Sequence, residues 1–457
     1  MAITVSTPNN VESNNGNSLA VFKESTTNKF YVKDINGQIQ DIASGLGLTV
    51  IFEIGTGANS TQRIGSGTAS AVGSTISGGT IQNASGLSST IGGGTTNTAS
   101  NKNSTVSGGS NNIASNPNST VSGGSSNTAS GYVYGKSTVG GGNSNTASAD
   151  NSTVSGGFEN TASGEYSTTV GGGNSNTAST NYATVSGGQS HTASGKNSTV
   201  SGGTTNIASG SDSTVGGGNT NTASGVYSVV GGGNTNTASN LSSTLSGGSG
   251  NTSSGSASTV GGGQTNTAKG GNSTVSGGGY NTSSASNSTV SGGYGNGGSG
   301  GFATVSGGGY NTASGVYSVV GGGFENSASN TDCTVGGGST NISSGADGTV
   351  GGGKENVASG QFSAVCGGTK NQATALQSTI CGGETNVASA VSSSILGGSQ
   401  NSTSTFQNSH ILGSNITSDR IDCAFVENLS IKSIPTAAVG LPSGSLWSNA
   451  GVINIVP

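Results

Sequence analysis

Ser74-Thr75-Ile76-Ser77-Gly78-Gly79 is a phrase that returns, little altered, along most of the 457 residues. With its apolar residue as anchor, it recurs at Ile91, Val106, Val121, Val139, Val154, Val170, Val185, Val200, Val215, Val230, Leu245 and Val260. It then runs on to Ile395 and, in weaker form, Ile411, giving 23 anchors. The step is 15 residues except for 18 between Val121 and Val139, and 16 after Val154 and after Ile395. A fixed period of this length marks a solenoid, in which each repeat buries its apolar face only by stacking on its neighbours.

The averaged repeat reads Val-(Ser/Gly)-Gly-Gly-x-x-Asn-Thr-Ala-Ser-Gly-x-x-Ser-Thr, too rich in glycine and serine for a helical repeat. Two short extended pieces fit it: Ser-Thr-Val-Ser about the anchor, and Asn-Thr-Ala-Ser with its Ala eight residues on. The Gly-Gly and Ser-Gly pairs between them are expected to supply the positive φ of tight corners. Strand alternation places Val and Ala on one side and the flanking Thr and Ser on the other. The expectation is an all-β parallel β-solenoid (β-roll) of about 23 coils with small β-modules at both ends; at about 4.8 Å per coil it makes a rod on the order of 110 Å long.

Glycine at 88 residues and a hydrophobic share of 28% would alone suggest disorder. The strict register argues against it, since a flexible linker has no reason to hold an apolar residue at every fifteenth position. Charged residues are 6% with a net charge of −5 and no basic stripe, which excludes nucleic acid as a partner. No run of about 20 apolar residues is present, which excludes insertion as a membrane helix. The opening Met1-Ala2-Ile3-Thr4-Val5-Ser6 lacks the character of a signal peptide, so an extracellular destination is expected to be reached by another route. Cys333, Cys366, Cys381 and Cys423 form no disulfide framework. Cys366 and Cys381 share the column after the anchor, where parallel side chains would strain a bridge, so free thiols are expected.

Three columns stand out. Six residues after each anchor from Ile91 to Ile395 comes Asn, with His191 as the exception; a turn residue whose stacked amides bond from coil to coil is expected. Thr precedes most anchors, a pattern shared with ice-binding faces, but Val229, Val319, Ala364 and Ser394 interrupt it, and a solvated β-face is the better reading. The aromatics Tyr166, Tyr182, Tyr227, Phe302, Tyr317 and Phe362 all lie twelve after an anchor, whereas Phe158, Tyr280, Tyr294, Tyr310 and Phe324 lie four or five after one. The first six, with Trp447, are the candidate surface-contact aromatics, for a neighbouring chain or for carbohydrate. Val106, Val121, Val154, Val185, Val200, Val215, Val230 and Val260 typify the core column.

Three regions follow. Residues 1–60 form an N-terminal β-module with strands at Leu19–Lys23, Lys29–Lys33 and Gln38–Ile42, an Asn36-Gly37 hairpin turn and a further strand at Leu48–Glu53. Residues 61–418 form the shaft, with Ile64 as a degenerate anchor. Residues 419–457 form a C-terminal cap or tip, with strands expected at Asp419–Val426, Leu429–Ile431, Leu446-Trp447 and Val452–Val456. Each coil offers one Val and one Ala to the core, worth about 1.5–3 kcal/mol for the Val, against roughly 15 kcal/mol or more for ordering 15 residues. Several chains sharing an apolar axis would make up the difference.

Asn221-Thr222-Ala223-Ser224-Gly225-Val226-Tyr227-Ser228-Val229-Val230-Gly231-Gly232-Gly233, repeated almost unchanged at Asn311–Gly323, resembles head repeats of the YadA-type trimeric autotransporter adhesins. The resemblance covers about 340 residues and implies a left-handed parallel β-roll with three chains to a fibre. That family's repeat is nearer 14 residues, with Ala-Ile-Gly where this chain has Thr-Val-Gly-Gly or Thr-Val-Ser-Gly. Its signal peptide and membrane anchor are not seen here. Phe30-Tyr31-Val32-Lys33-Asp34-Ile35-Asn36-Gly37 instead resembles short N-terminal modules of phage and other viral fibres. Phe425-Val426-Glu427-Asn428-Leu429-Ser430-Ile431 and Leu441-Pro442-Ser443-Gly444-Ser445-Leu446-Trp447 are similar to C-termini of viral fibre-like proteins.

Catalytic chemistry is not expected. Only His191 and His410 are present, neither in a nucleophile context, and the carboxylates are scattered singly. Gly135-Lys136-Ser137 lacks the upstream glycine of a phosphate loop. Calcium-binding repeats need a regular Asp where this chain has Asn. The reading is a homotrimeric structural fibre of a virus, a phage tail or head fibre at the virion surface. Its N-terminal module meets other virion proteins, its shaft spaces, and a host cell-surface receptor, with glycans among the candidates, is its target. No cofactor, metal or enzyme activity is expected. The alternatives are a bacterial surface trimeric adhesin or filament subunit and, third, an ice-binding β-solenoid.

Overall fold

The computed structural model describes residues 9–12, 18–23, 30–33, 39–41, 52–63, 67–131, 135–166, 168–430, 434–449 and 451–456, the strands before residue 55 as backbone. Its contacts divide the chain into two units, Met1–Gly279 and Tyr280–Pro457. The fold is an all-β parallel β-solenoid of about 24 turns with a roughly 15-residue period and no helix among the described residues.

The first unit opens with an antiparallel sheet of β1 (Asn9–Glu12), β2 (Ser18–Lys23), β3 (Phe30–Lys33) and β4 (Ile39–Asp41). The expected Asn36-Gly37 turn lies outside the described residues, but the pairing of Lys33 with Ile39 brackets it. The strand expected at Leu48–Glu53 is β5 (Phe52–Ile54), antiparallel to β6 (Thr61–Arg63). β6 then starts the stack, setting Gln62 in register with Ile76. Gln62 thus holds the anchor place assigned to Ile64, which lies outside the described residues.

From there each turn contributes one residue pair to each of two parallel sheets. Thr90-Ile91 pairs in register with Thr105-Val106, and Thr98-Ala99 with Ile113-Ala114, and so on turn after turn. Anchors and Ala residues are fully buried. The Thr before each anchor is mostly half-buried and the residue after it exposed, as alternation requires. Register survives the longer turns: Val121 pairs with Val139, Val154 with Val170 and, in the second unit, Ile395 with Ile411. The Ala strands stay aligned across the first two, Ala129 on Ala147 and Ala162 on Ala178, so the added residues fall at the corner after the Ala strand.

The interior is more polar than its Val and Ala suggest. The Asn six after the anchor points inward and is fully or almost fully buried. In the turn anchored at Val215, the Asn221 N–H donates to Asn206 Oδ1 at 2.9 Å, and Nδ2 donates to the carbonyls of Gly217 and Gly233 at 2.8 Å each. Asn221 Oδ1 accepts the N–H of Asn236 at 3.0 Å. The amides therefore do bond from turn to turn, and they do so from inside, capping the Gly217 carbonyl and adding a second bond to the Gly233 carbonyl, which also accepts the N–H of Asn219.

Corner geometry departs from expectation in one respect. The glycine three after the anchor is left-handed, as at Gly218 (φ 87°), and a Cβ there would run into the Gly233 carbonyl oxygen. In the Ser-Gly pair, however, the glycine is not left-handed. The second left-handed residue is the one twelve after the anchor, and a third lies five after it; both carry side chains, such as Thr220 (φ 54°) and Tyr227 (φ 57°). Left-handed backbone lets their amides continue the ladder around the bend: Thr220 N–H donates to Thr204 O and Tyr227 N–H to Ser211 O, both at 2.9 Å.

In the second unit the anchor sheet runs past Ile411, which pairs with Phe425 in the strand Ala424–Val426. Leu429 and Ser430, expected in a strand, are unpaired, and Ile431 lies outside the described residues. Leu446–Asn449 and Val452–Ile455 form an antiparallel hairpin. The compact cap expected here is not formed among the described residues: Leu429, Val439, Val452 and Ile455 are exposed, Val439 by 95%. A two-stranded hairpin has no second layer against which to bury such side chains.

Candidate functional site

The interior of each described turn is filled by its own buried Val, Ala, Ser and Asn side chains, so chemistry available to a partner lies on the corners. A side chain five or twelve after an anchor mostly projects from left-handed backbone, as at Tyr182, Tyr227, Tyr280 and Tyr310 but not at Tyr166, and the ladder needs only its amide. Tyr294 and Phe324, four after their anchors, stand beside that position. Any residue is therefore compatible with the turn. The chain uses this freedom to place aromatics in rows.

The core column Val106, Val121, Val154, Val185, Val200, Val215, Val230 and Val260 is fully buried. Tyr166, Tyr182 and Tyr227 in the first unit and Phe302, Tyr317 and Phe362 in the second are all about half exposed, Tyr227 most of all at 58%. Tyr166 and Tyr182 stack at 6.4 Å between ring centroids with planes 19° apart, and Phe302 and Tyr317 at 4.9 Å and 17°. Among the described residues, Tyr227 and Phe362 stand without a ring neighbour of that kind. Trp447 lies half-buried on the C-terminal hairpin, its backbone paired with Asn454, and joins none of these rows.

The longest row among the described residues is one that the candidate aromatics leave out. In the second unit Tyr280, Tyr294, Tyr310 and Phe324 follow one another at 5.2, 5.5 and 5.7 Å, with planes 57°, 74° and 84° apart. Each ring is about half exposed. Desolvation, and then the neighbouring Tyr310 and Tyr280, push the Tyr294 phenol above its ordinary pKa. The signal was in the spacing: offsets of five, four, five and four from successive anchors put all four rings at one corner of adjacent turns. Reading the offsets as separate columns hid the row.

Edge-to-face and offset packing satisfies the rings within each row and turns edges and hydroxyls outward. In the two stacked pairs the ring faces look at each other, whereas in the Tyr280–Phe324 row an edge meets a face at each step. On the same corner further along, Lys354, Glu355 and Lys370 form exposed ion pairs at 3.3 and 3.8 Å, which contribute little to stability. All four cysteines are free thiols, Cys333 buried and Cys366 and Cys381 exposed. Among the described residues no three His, Cys, Asp or Glu side chains gather as a metal site.

A family model described as the Ubiquitous surface protein adhesin repeat matches residues 152–164. The match spans one pass from Ser152 through the anchor Val154 and the ladder amide Asn160 to Ala162 and Gly164. No curated protein matches the chain. The repeat is thus adhesin-like, in keeping with the parallel solenoid, and points to a surface or extracellular setting.

Proposed function

We propose that this chain is a non-enzymatic, adhesin-like fibre protein that assembles as a homotrimer and makes its contacts through the aromatic rows at its corners. The observation that carries the reading is the row Tyr280–Tyr294–Tyr310–Phe324, four half-exposed rings side by side on turns whose backbone does not require them. Exposed aromatic surface in such a concentration is the usual composition of a contact region. The matched adhesin repeat supports the same reading; the anchors are already buried within one chain, so the chains would meet through their outer faces and not about the shared apolar axis expected from the sequence. In this reading the N-terminal sheet attaches the fibre and the C-terminal hairpin lies at its tip.

Two measurements test it. Light scattering on the intact chain should give the mass of three copies, and a stable monomer would overturn the trimer. Binding of the intact chain to immobilised host-surface proteins should fall at least about tenfold in Tyr294→Ser/Tyr310→Ser, in line with aromatic anchors worth about 1 kcal/mol or more at an interface. Unchanged binding would remove the row from the contact.

A second reading concerns the carrier. The β3–β4 hairpin is the element whose sequence resembles viral fibre modules, and it favours a virion, with phage fibres as the nearest kind. Immunogold labelling separates the two: label on particles supports the virion, and label on a bacterial envelope supports the bacterial adhesin.

A further inference from the structure

The column immediately after the anchor changes character near the end of the second unit. From Ser77 to Gly351 it holds only Ser and Gly; it then reads Cys366, Cys381, Leu396 and Leu412, with Val426 on the next rung. Val365 pairs with Ile380 and Ile380 with Ile395, so Cys366 and Cys381 are direct neighbours on successive rungs and Leu396 follows them. Both thiols are free and exposed.

We propose that Cys366 and Cys381 form a two-thiolate site for a soft monovalent metal ion of the Cu(I) class. Soft thiolates select such ions. The rung spacing fits: two in-line thiolate–metal bonds, each somewhat shorter than the roughly 2.3 Å of zinc–thiolate, span a little under about 4.6 Å, within reach of side chains on parallel neighbours roughly 4.8 Å apart. A disulfide needs its two Cβ atoms about 3.8 Å apart with the side chains turned toward each other, which parallel rungs oppose. Zn(II) would want four ligands, and the described surroundings offer no third strong donor. Gly351 flanks Cys366, Leu396 flanks Cys381, and the column on the other side of the anchors holds Thr349, Ala364, Thr379 and Ser394. Partial desolvation, and then the neighbouring Cys366 thiol, push the Cys381 thiol above its ordinary pKa. Binding forms two S–metal bonds and releases both thiol protons to solvent. The product is a bis-thiolate with a net charge of −1, which clips one turn to the next.

The test uses the full chain, reduced and kept under nitrogen, titrated with Cu(I) as its acetonitrile complex in competition with bathocuproine disulfonate. One Cu(I) per chain is expected, with two protons released per ion. Uptake should vanish in Cys366→Ser and in Cys381→Ser and persist in Cys423→Ser. Serine is the residue this column carries elsewhere, so the two variants retain the turn geometry, which circular dichroism verifies. No uptake, uptake unchanged by Cys366→Ser, or one ion shared by two chains would each overturn the site. So would a Cys366–Cys381 disulfide mapped by mass spectrometry in the unreduced protein.

Discussion

The inside of a turn and its corners are built from the same 15 residues under opposite rules. Inside, the column six after the anchor holds almost one chemistry alone, with His191 the exception: an amide that donates twice and accepts once, as Asn221 does toward Gly217, Gly233 and Asn236. At the corners five and twelve after the anchor, the backbone takes an equally special conformation, yet Thr, Ser, Asn, Asp, Glu, Lys, Tyr and Phe all occupy it. Conformational difficulty does not by itself fix sequence. A position is fixed where the side chain supplies a bond that nothing else can make, and it is free where the backbone makes the bond itself.

That contrast can be broken at its strong end. Asn221→Ala removes three side-chain hydrogen bonds and strands the buried N–H of Asn236 and the Gly217 carbonyl, while the Gly233 carbonyl keeps the N–H of Asn219. At about 1–3 kcal/mol for each of these two groups left unpaired, a loss of about 3 kcal/mol is expected. Native-state hydrogen exchange should show the protection of the Asn236 amide collapsing with its neighbours. Gly218→Ala tests the backbone half of the same corner. Left-handed geometry costs an alanine about 1 kcal/mol and the contact with the Gly233 carbonyl about a further 1–3 kcal/mol, so about 3 kcal/mol is expected in a denaturant titration.

His191 sharpens the comparison, because it stands in the amide ladder with a ring. Its N–H donates to Asn176 Oδ1 and its Nδ1 accepts the N–H of Asn206, both at 3.0 Å. Burial lowers its pKa from the ordinary 6.5. Protonating Nδ1 would set two donors against each other. Between the lowered folded value and 6.5 the unfolded chain binds more protons, so stability is complete above pH 6.5 and declines as pH falls through that window. Exchange of the Asn206 amide, corrected for its intrinsic rate, should quicken at about pH 5 relative to about pH 7.5. In His191→Asn that acid sensitivity should disappear. Tyr294→Ser lies at the weak end: taking the low end of the range, about 0.5 kcal/mol, for each of two half-exposed ring contacts, the loss should be about 1 kcal/mol, although binding should suffer. A loss as large as that of Asn221→Ala would erase the distinction between inside and corner.

The period made the two sheets and their Val and Ala columns legible, because an apolar residue held at a constant interval only gains burial if equal turns stack in register. The inward turn of the Asn column was not legible. Asn between glycines reads as a turn residue, and nothing in a one-dimensional pattern tells a side chain that caps a corner from within from one that faces water. The left-handed corners were hidden for a related reason: Thr220 and Tyr227 give no sign of unusual φ, since the requirement falls on the backbone. Phe425 escaped notice as a further rung because the glycines that mark the phrase elsewhere are missing around it. The tail's apolar residues suggested a packed cap, but composition does not disclose whether a second layer exists for them.

Near-identical turns also have a cost in addressing. A strand that docks one whole turn out of place meets the same Val, the same Ala and the same amide, so most rungs carry almost no information about which rung they are. That information resides in the irregular turns. A slip past the long turn between Val121 and Val139 would set an 18-residue loop where its neighbour offers 15. Shortening that turn to 15 residues should therefore leave equilibrium stability within about 0.5 kcal/mol, yet produce slipped forms on refolding, seen as more than one exchange pattern for the same amides. In a chain of copies, the misprints keep the place.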